Sequence, residues 1–271
     1  MSPDWLSSPQ ETPRLDLDVP RDAGDLIATT LVLFARHALL FLSVTLLVVA
    51  PVEIAVTGIW AGGFADGGDA AVAVAPAVAG SVLALLMPVL VTALHVMIVR
   101  DLGEGRVPSI GQALRSAAPR FPHAVAAVVV YTLLVFGGMI LLIVPGIWVM
   151  VAGYFVAQAA VMEGRGPFGA FRHSTELVEE RWWRTARTLA LGWVLLTVVA
   201  FPVGVAVDAV DSGVIYVVLY TLVEVVTLSL TALFGTLMYF SLRARKEHPF
   251  GYGPAAAYLP PKPADQSPAN R

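Results

Sequence analysis

Six stretches of this chain are apolar over most of the ~20 residues that a helix needs to cross the hydrocarbon of a bilayer. They run from Leu39 to Trp60, Val78 to Val99, Ala124 to Ile143, Ile147 to Met162, Leu189 to Val207 and Val214 to Leu242. The basic residues divide between their connections in one pattern only. Arg14, Arg21 and Arg36 precede the first segment, and Arg100, Arg106, Arg115 and Arg120 lie between the second and third. Arg165, Arg172, Arg181, Arg184 and Arg187 lie between the fourth and fifth, and Arg243, Arg245, Lys246, Lys262 and Arg271 follow the sixth, which accounts for all 17. The connections around "GGFADGGD", "VPG" and "DAVDSG" hold Asp66, Asp69, Asp208 and Asp211 but no lysine or arginine. The positive-inside bias then puts both termini in the cytoplasm and makes the number of crossings even.

Composition points the same way. Hydrophobic residues make up 57% and charged residues 14%, with mean hydropathy +0.76, whereas a soluble domain carries about a quarter charged residues. The absence of cysteine removes disulfides, thiol catalysis and thiolate metal sites. A net charge of -3 argues against a nucleic-acid partner. Lysine occurs only at Lys246 and Lys262, and Ala and Val are abundant, which points to a bacterium with GC-rich coding. The polar, acidic start "MSPDWLSSPQETPRLDLDVPRD" is not a cleaved signal peptide, so the first apolar helix is expected to serve as the insertion signal. The expected architecture is all-α: a disordered cytoplasmic tail over 1–23, a six-span membrane domain over 24–247 in three hairpins, and a disordered Pro-rich cytoplasmic tail over 248–271 with Pro260 to Pro263 as a P-x-x-P segment.

An amphipathic stretch precedes each hairpin, and these predict interfacial helices on the cytoplasmic side. They are "AGDLIATTLVLFARHALLF", "PSIGQALRSAAPRF" and "GPFGAFRHSTELVEERWWRTARTL". The latter two each follow an "EGR" triplet, Glu104 to Arg106 and Glu163 to Arg165, and share a Gly-(x)-Ala-[LF]-Arg core at Gly111 to Arg115 and Gly169 to Arg172. That suggests three loosely repeated, parallel units. In the longest stretch Phe168, Phe171, Val178, Trp182, Ala186 and Leu189 fall at helical spacing, which predicts one continuous helix with a greasy face. Glu180 and Arg184 are expected to pair at i,i+4. Arg172, Arg181, Trp182, Trp183, Arg184 and Arg187 suit a membrane edge, with indole rings at headgroup depth and guanidinium groups among phosphates.

"EERWWR", Glu179 to Arg184, also matches the E-E-x-x-x-R signature of glutamate-dependent intramembrane proteases. Those need the paired carboxylates within the membrane and downstream histidines to polarise water. Downstream of Arg184 the one histidine is His248, and the motif sits among charges, so the protease reading fails on partners and on depth. His37, His95, His123, His173 and His248 have no metal-ligand spacing, and there is no H-E-x-x-H, G-x-S-x-G or P-loop. The reading is of a non-enzyme without a cofactor.

From Leu141 to Trp183 the chain runs "LLIVPGIWVMVAGYFVAQAAVMEGRGPFGAFRHSTELVEERWW". The pattern is carried by Pro145, Gly146, Ile147, Glu163, Gly166, Pro167, Phe168, Ala170, Phe171, Arg172, Ser174 and Trp183, with Pro145-Gly146 expected to make the tight turn between the third and fourth spans. It resembles the bacterial glycerophosphoryl diester phosphodiesterase membrane-domain family and related uncharacterised multi-pass proteins. The closing "LMYFSLRARKE" is similar to the family's end, with Ser241 where an Asp is common, and the resemblance extends over Gly24 to Glu247. It implies a membrane domain of unassigned function. Some members precede a soluble catalytic barrel, for which the tail after His248 leaves no room.

Four polar residues fall within apolar segments: Glu53, His95, Gln158 and Glu224. A carboxylate there costs on the order of 2.5–3.5 kcal/mol on insertion scales. Glu53 and Glu224 either line a proton or cation pathway or are hydrogen-bonded within the bundle, and His95 is expected to pack at the inner interface. Glu163 is expected to cap its loop by pairing with a nearby arginine. The functional expectation is a membrane scaffold or adaptor that meets a partner protein or anionic lipid through its arginine-rich face; the alternative is a small transporter or lipid-handling protein using Glu53 and Glu224.

Overall fold

The computed structural model describes residues 15–64, 70–210 and 213–247. The expected disorder of most of the N-terminal tail and of the C-terminal tail, and the loop residues Asp66, Asp69 and Asp211, lie outside the described residues. Among those described the fold is all-helical. Ten helices follow in order: α1 (Ala23–Arg36), α2 (Ala38–Phe64), α3 (Ala70–Gly103), α4 (Ile110–Ala117), α5 (Phe121–Leu141), α6 (Ile143–Ala152), α7 (Val156–Glu163), α8 (Pro167–Val178), α9 (Trp182–Asp208) and α10 (Gly213–Glu247). Six helical segments are long and apolar enough to cross a membrane, which fits a multi-pass membrane protein.

The packed core lies toward the basic end of the bundle. Val91, Leu94, Val96 and Ile98 of α3, Leu233, Leu237 and Tyr239 of α10, Phe41 and Val44 of α2, and Phe155 and Val161 around α7 are all essentially inaccessible. By contrast the outer faces of α5, α6 and α9 expose Phe136, Ile140, Trp148, Val198 and Phe201. In lipid such exposure carries no hydrophobic cost, because acyl chains are as apolar as these side chains.

Both "EGR" triplets build one local structure. Gly105 (φ 72°) and Gly164 (φ 63°) are the described glycines with positive φ, a conformation that costs an L-residue roughly 1–2 kcal/mol. Each ends a helix, and each following arginine folds back onto the preceding glutamate, Arg106 to Glu104 and Arg165 to Glu163. A short helix then starts, α4 from an N-cap at Ser109 whose hydroxyl accepts from the Gln112 amide at 3.2 Å, and α8 from Gly166 with Pro167 at its first position. Ala113 and Ala170 are fully buried in the two helices while Arg115 and Arg172 are exposed.

Three expectations are corrected. The third and fourth spans turn at Leu142 (φ −160°, ψ 139°), not at Pro145-Gly146. Pro145 is the third residue of α6, where no amide donor is needed. Gly146 instead lets the two helices touch, since a Cβ on Gly138 would lie 2.9 Å from the Gly146 Cα. The fourth span is broken into α6 and α7 at Gly153–Phe155. Lastly, the long amphipathic stretch is two helices: α8 stops at Val178, Glu179–Arg181 form a 3₁₀ turn, and Arg181 (φ −136°, ψ 27°) starts α9. Two glutamates continuing α8 would oppose its negative end, whereas before α9 they meet a positive one.

Candidate functional site

The corner made by Glu179–Arg181 turns the chain so that Trp182 and Trp183 open α9. Trp182 donates its indole N–H toward the Trp148 carbonyl of α6 at 3.4 Å, and the two adjacent indoles meet edge-on with centroids 4.8 Å apart. Between α6 and this corner lies an open groove of about 920 Å³. Val144, Ile147, Trp148, Trp182 and Trp183 make an apolar wall; Arg181, Arg184 and Arg187 line it with positive charge, alongside Glu179 and Glu180. Arg187 is steadied by a bond from Nε to the Trp183 carbonyl at 3.3 Å. Trp183 is 75% exposed, leaving a large indole face open beside the guanidinium groups. The sequence places the "VPG" connection on the arginine-free side; the groove instead sets Val144 and Ile147 beside the arginines, while Asp208 lies at the other end of α9, ~40 Å of helix away.

Arg184 does not pair with Glu180. The break at Arg181 removes the i,i+4 geometry, and Arg184 pairs with Asp22, which also accepts from Arg245 Nη2 at 3.1 Å. The segment before α1 is tied down here: the Arg21 amide donates to Ser241 Oγ at 2.9 Å, Ser241 donates back to the Arg21 carbonyl at 3.3 Å, and Arg245 reaches the same carbonyl at 2.7 Å. Burial pulls the Arg21 guanidinium below its ordinary pKa, against the opposing effect of Asp16 and Asp25. Arg172, at the outer surface of α8, pairs with Glu176 at 2.8 Å.

The motif around span four is structural in its contacts. Ser174 is fully buried, donates to the Ala152 carbonyl at 2.7 Å and accepts from the Phe155 amide at 3.2 Å, so it satisfies backbone groups freed by the α6–α7 break. Glu163 meets Arg165, and its Oε1 stands 2.7 Å from His173 Nε2. Gln158 is 4% exposed and packs against α10 at Gly235, its Oε1 without a hydrogen bond.

The other polar residues expected within the apolar segments separate into two places. His95 is inaccessible, bonded to the Val91 carbonyl at 2.9 Å and Ser229 Oγ at 3.0 Å, and stacked on Phe41. Glu53 of α2 and Glu224 of α10 are brought side by side, with Tyr220 next to them and Glu224 Oε2 buried without a hydrogen bond. Among the described residues no group of three or more His, Asp or Glu is placed to hold a metal ion.

Sequence reasoning missed Trp148, Asp22, Arg21, Ser241 and Arg245 as neighbours of the arginine corner. It also missed Asp101, a carboxylate only 1% exposed between Arg106 and Arg100. These juxtapositions join residues up to 224 positions apart, a separation that no local pattern carries.

No curated protein and no solved structure matches the chain. Nothing links the chain to the phosphodiesterase membrane family suggested by the motif around Pro145 and Ser174. Residues 107–245, just over half of the chain and the part that contains the groove, match a family described as a domain of unknown function (DUF7847), and the chain belongs to that family.

Proposed function

We propose that this protein is a non-enzymatic, multi-pass domain of a bacterial plasma membrane, with both termini in the cytoplasm, that seats an anionic lipid in the groove between α6 and the start of α9. The observation that carries the reading is the pairing, in one open groove, of an apolar indole wall with Arg181, Arg184 and Arg187. An anionic phospholipid has the same two halves. Its acyl chains match the wall made by Val144, Ile147 and Trp148, and its phosphate matches the guanidinium groups, which bind phosphate oxygens two at a time. Arginines near a cytoplasmic leaflet also gain from its negative surface potential, about 1 kcal/mol each. A scaffold role would follow from lipid held at a fixed place on the domain, and kinship with the phosphodiesterase membrane domains belongs to the same proposal.

The test is thermal stability in detergent with added lipid, since a ligand that binds only the folded state raises Tm. Phosphatidylglycerol is expected to raise Tm more than phosphatidylcholine, and Trp183→Ala with Arg187→Gln to remove the difference. Equal effects of the two lipids on the native chain would contradict the proposal.

A second reading, a small carrier, is favoured by the meeting of Glu53 and Glu224 from two helices that the sequence separates by more than a hundred residues. It expects Glu53→Gln and Glu224→Gln to abolish a pH-dependent flux in reconstituted vesicles while leaving the fold intact. Flux unchanged in both variants would remove it.

A further inference from the structure

We propose that the cleft between the segment before α1, the start of α9 and the end of α10 is a phosphomonoester site in which the protein's own Asp22 competes with the ligand for two of the arginines. The cleft is lined by Arg21, Arg181, Arg184, Thr185, Ser241 and Arg245. Four guanidinium groups from three separate parts of the chain therefore converge on one opening of about 20 Å³. Such a gathering of like charge is unfavourable unless an anion sits within it. Asp22 stands at the rim of the cleft, outside its lining, where it pairs with both Arg184 and Arg245 and keeps its side chain 68% exposed.

Two polar groups in the cleft have no partner among the described residues. Thr185 is 1% exposed and its Oγ1 makes no hydrogen bond, and Arg21 Nη1 is buried and likewise unsatisfied. Thr185 Oγ1 and Arg21 Nη1 are therefore donors left open to an acceptor that enters the cleft. One carboxylate satisfies Arg184 and Arg245 but leaves Thr185 and Arg21 Nη1 over. A phosphomonoester brings three acceptor oxygens and a charge of about −1.5 to −2 at pH 7, enough to serve all four groups once Asp22 swings out. α9 adds opening amides with no side-chain cap. Because Arg181 and Arg184 also line the groove, a lipid whose chains lie on the indole wall reaches this cleft with its headgroup.

The inference rests on the proposed groove for the lipid source only, and it fails separately. In nanodiscs containing phosphatidylcholine with equal small amounts of phosphatidate and phosphatidylglycerol, native mass spectrometry of the full chain should show phosphatidate retained over phosphatidylglycerol. Asp22→Asn should raise phosphatidate retention by about tenfold, the effect of removing one charge-assisted competitor, and Arg245→Gln should lower it by a similar factor. Should Arg245→Gln fail to fold, Thr185→Val reads the same site and should lower retention about threefold. Inorganic phosphate that displaces phosphatidate would identify a soluble phosphomonoester as the ligand, and failure to displace it would identify the lipid. A purely structural ion pair predicts loss of stability and no gain of ligand in Asp22→Asn. That result, or a native chain without preference for phosphatidate, overturns the proposal, whereas loss of all anionic lipid only in Trp183→Ala with Arg187→Gln concerns the groove.

Discussion

Ser174 shows how one side chain can carry an architectural decision. The break between α6 and α7 frees the Ala152 carbonyl and the Phe155 amide inside a packed core, and a single hydroxyl answers both. Ser174→Ala leaves two buried backbone groups unpaired and is expected to cost about 2–4 kcal/mol, read as a lowered midpoint in thermal or denaturant unfolding. A change within ~0.5 kcal/mol would mean that water takes the hydroxyl's place. Gly164 is a second such residue. Its left-handed conformation predicts that Gly164→Ala costs about 1 kcal/mol while Gly166→Ala, at an N-cap in extended conformation, costs less. Ser174 was visible in the sequence only as part of a motif; its role was not, because nothing local announces that span four is broken twenty residues before it.

The elements were legible where periodicity is strong and lost where a break is set by contacts. Long apolar runs mark all six candidate spans, five of them to within about five residues, while the helix of the fifth starts well before Leu189; "EGR" marked two helix ends that share a left-handed glycine. The stretch from Pro167 to Leu189 kept helical spacing through the corner at Arg181, so spacing alone could not reveal the turn. At the corner Trp182 is held against the α6 backbone at Trp148, a contact from another element. The α5–α6 contact is another tertiary decision. Gly138 and Gly146 let two backbones meet, and Gly146→Val, whose Cβ would enter within 2.7 Å of the Met139 amide nitrogen, is expected to force the hairpin apart. The expected readout is a drop of several degrees in Tm with loss of the proposed preference for anionic lipid; an unchanged Tm would contradict the close contact.

At the scale of the molecule, charge and depth are linked. Every lysine and arginine lies in the tails or in two of the five connections between spans, and the fold gathers Arg21 and Arg245 from the two tails with Arg181 and Arg184 from one connection into one cluster. The chain has no cysteine, so single introduced cysteines report sidedness cleanly. Val144→Cys and Arg187→Cys line one groove and are expected to label from the same face of the membrane, with a cysteine placed after Val210 labelling from the other. Labelling of Val144→Cys only from the Val210 face would return the α5–α6 turn to the side that the charge pattern alone assigns. The measurement that bears most directly on function is mass spectrometry of the protein extracted with its native lipid, identifying every lipid and protein that stays bound. An anionic lipid is expected at about one per chain, retained by the native protein and lost from Trp183→Ala with Arg187→Gln. Lipids present only in the proportions of the surrounding membrane would contradict it.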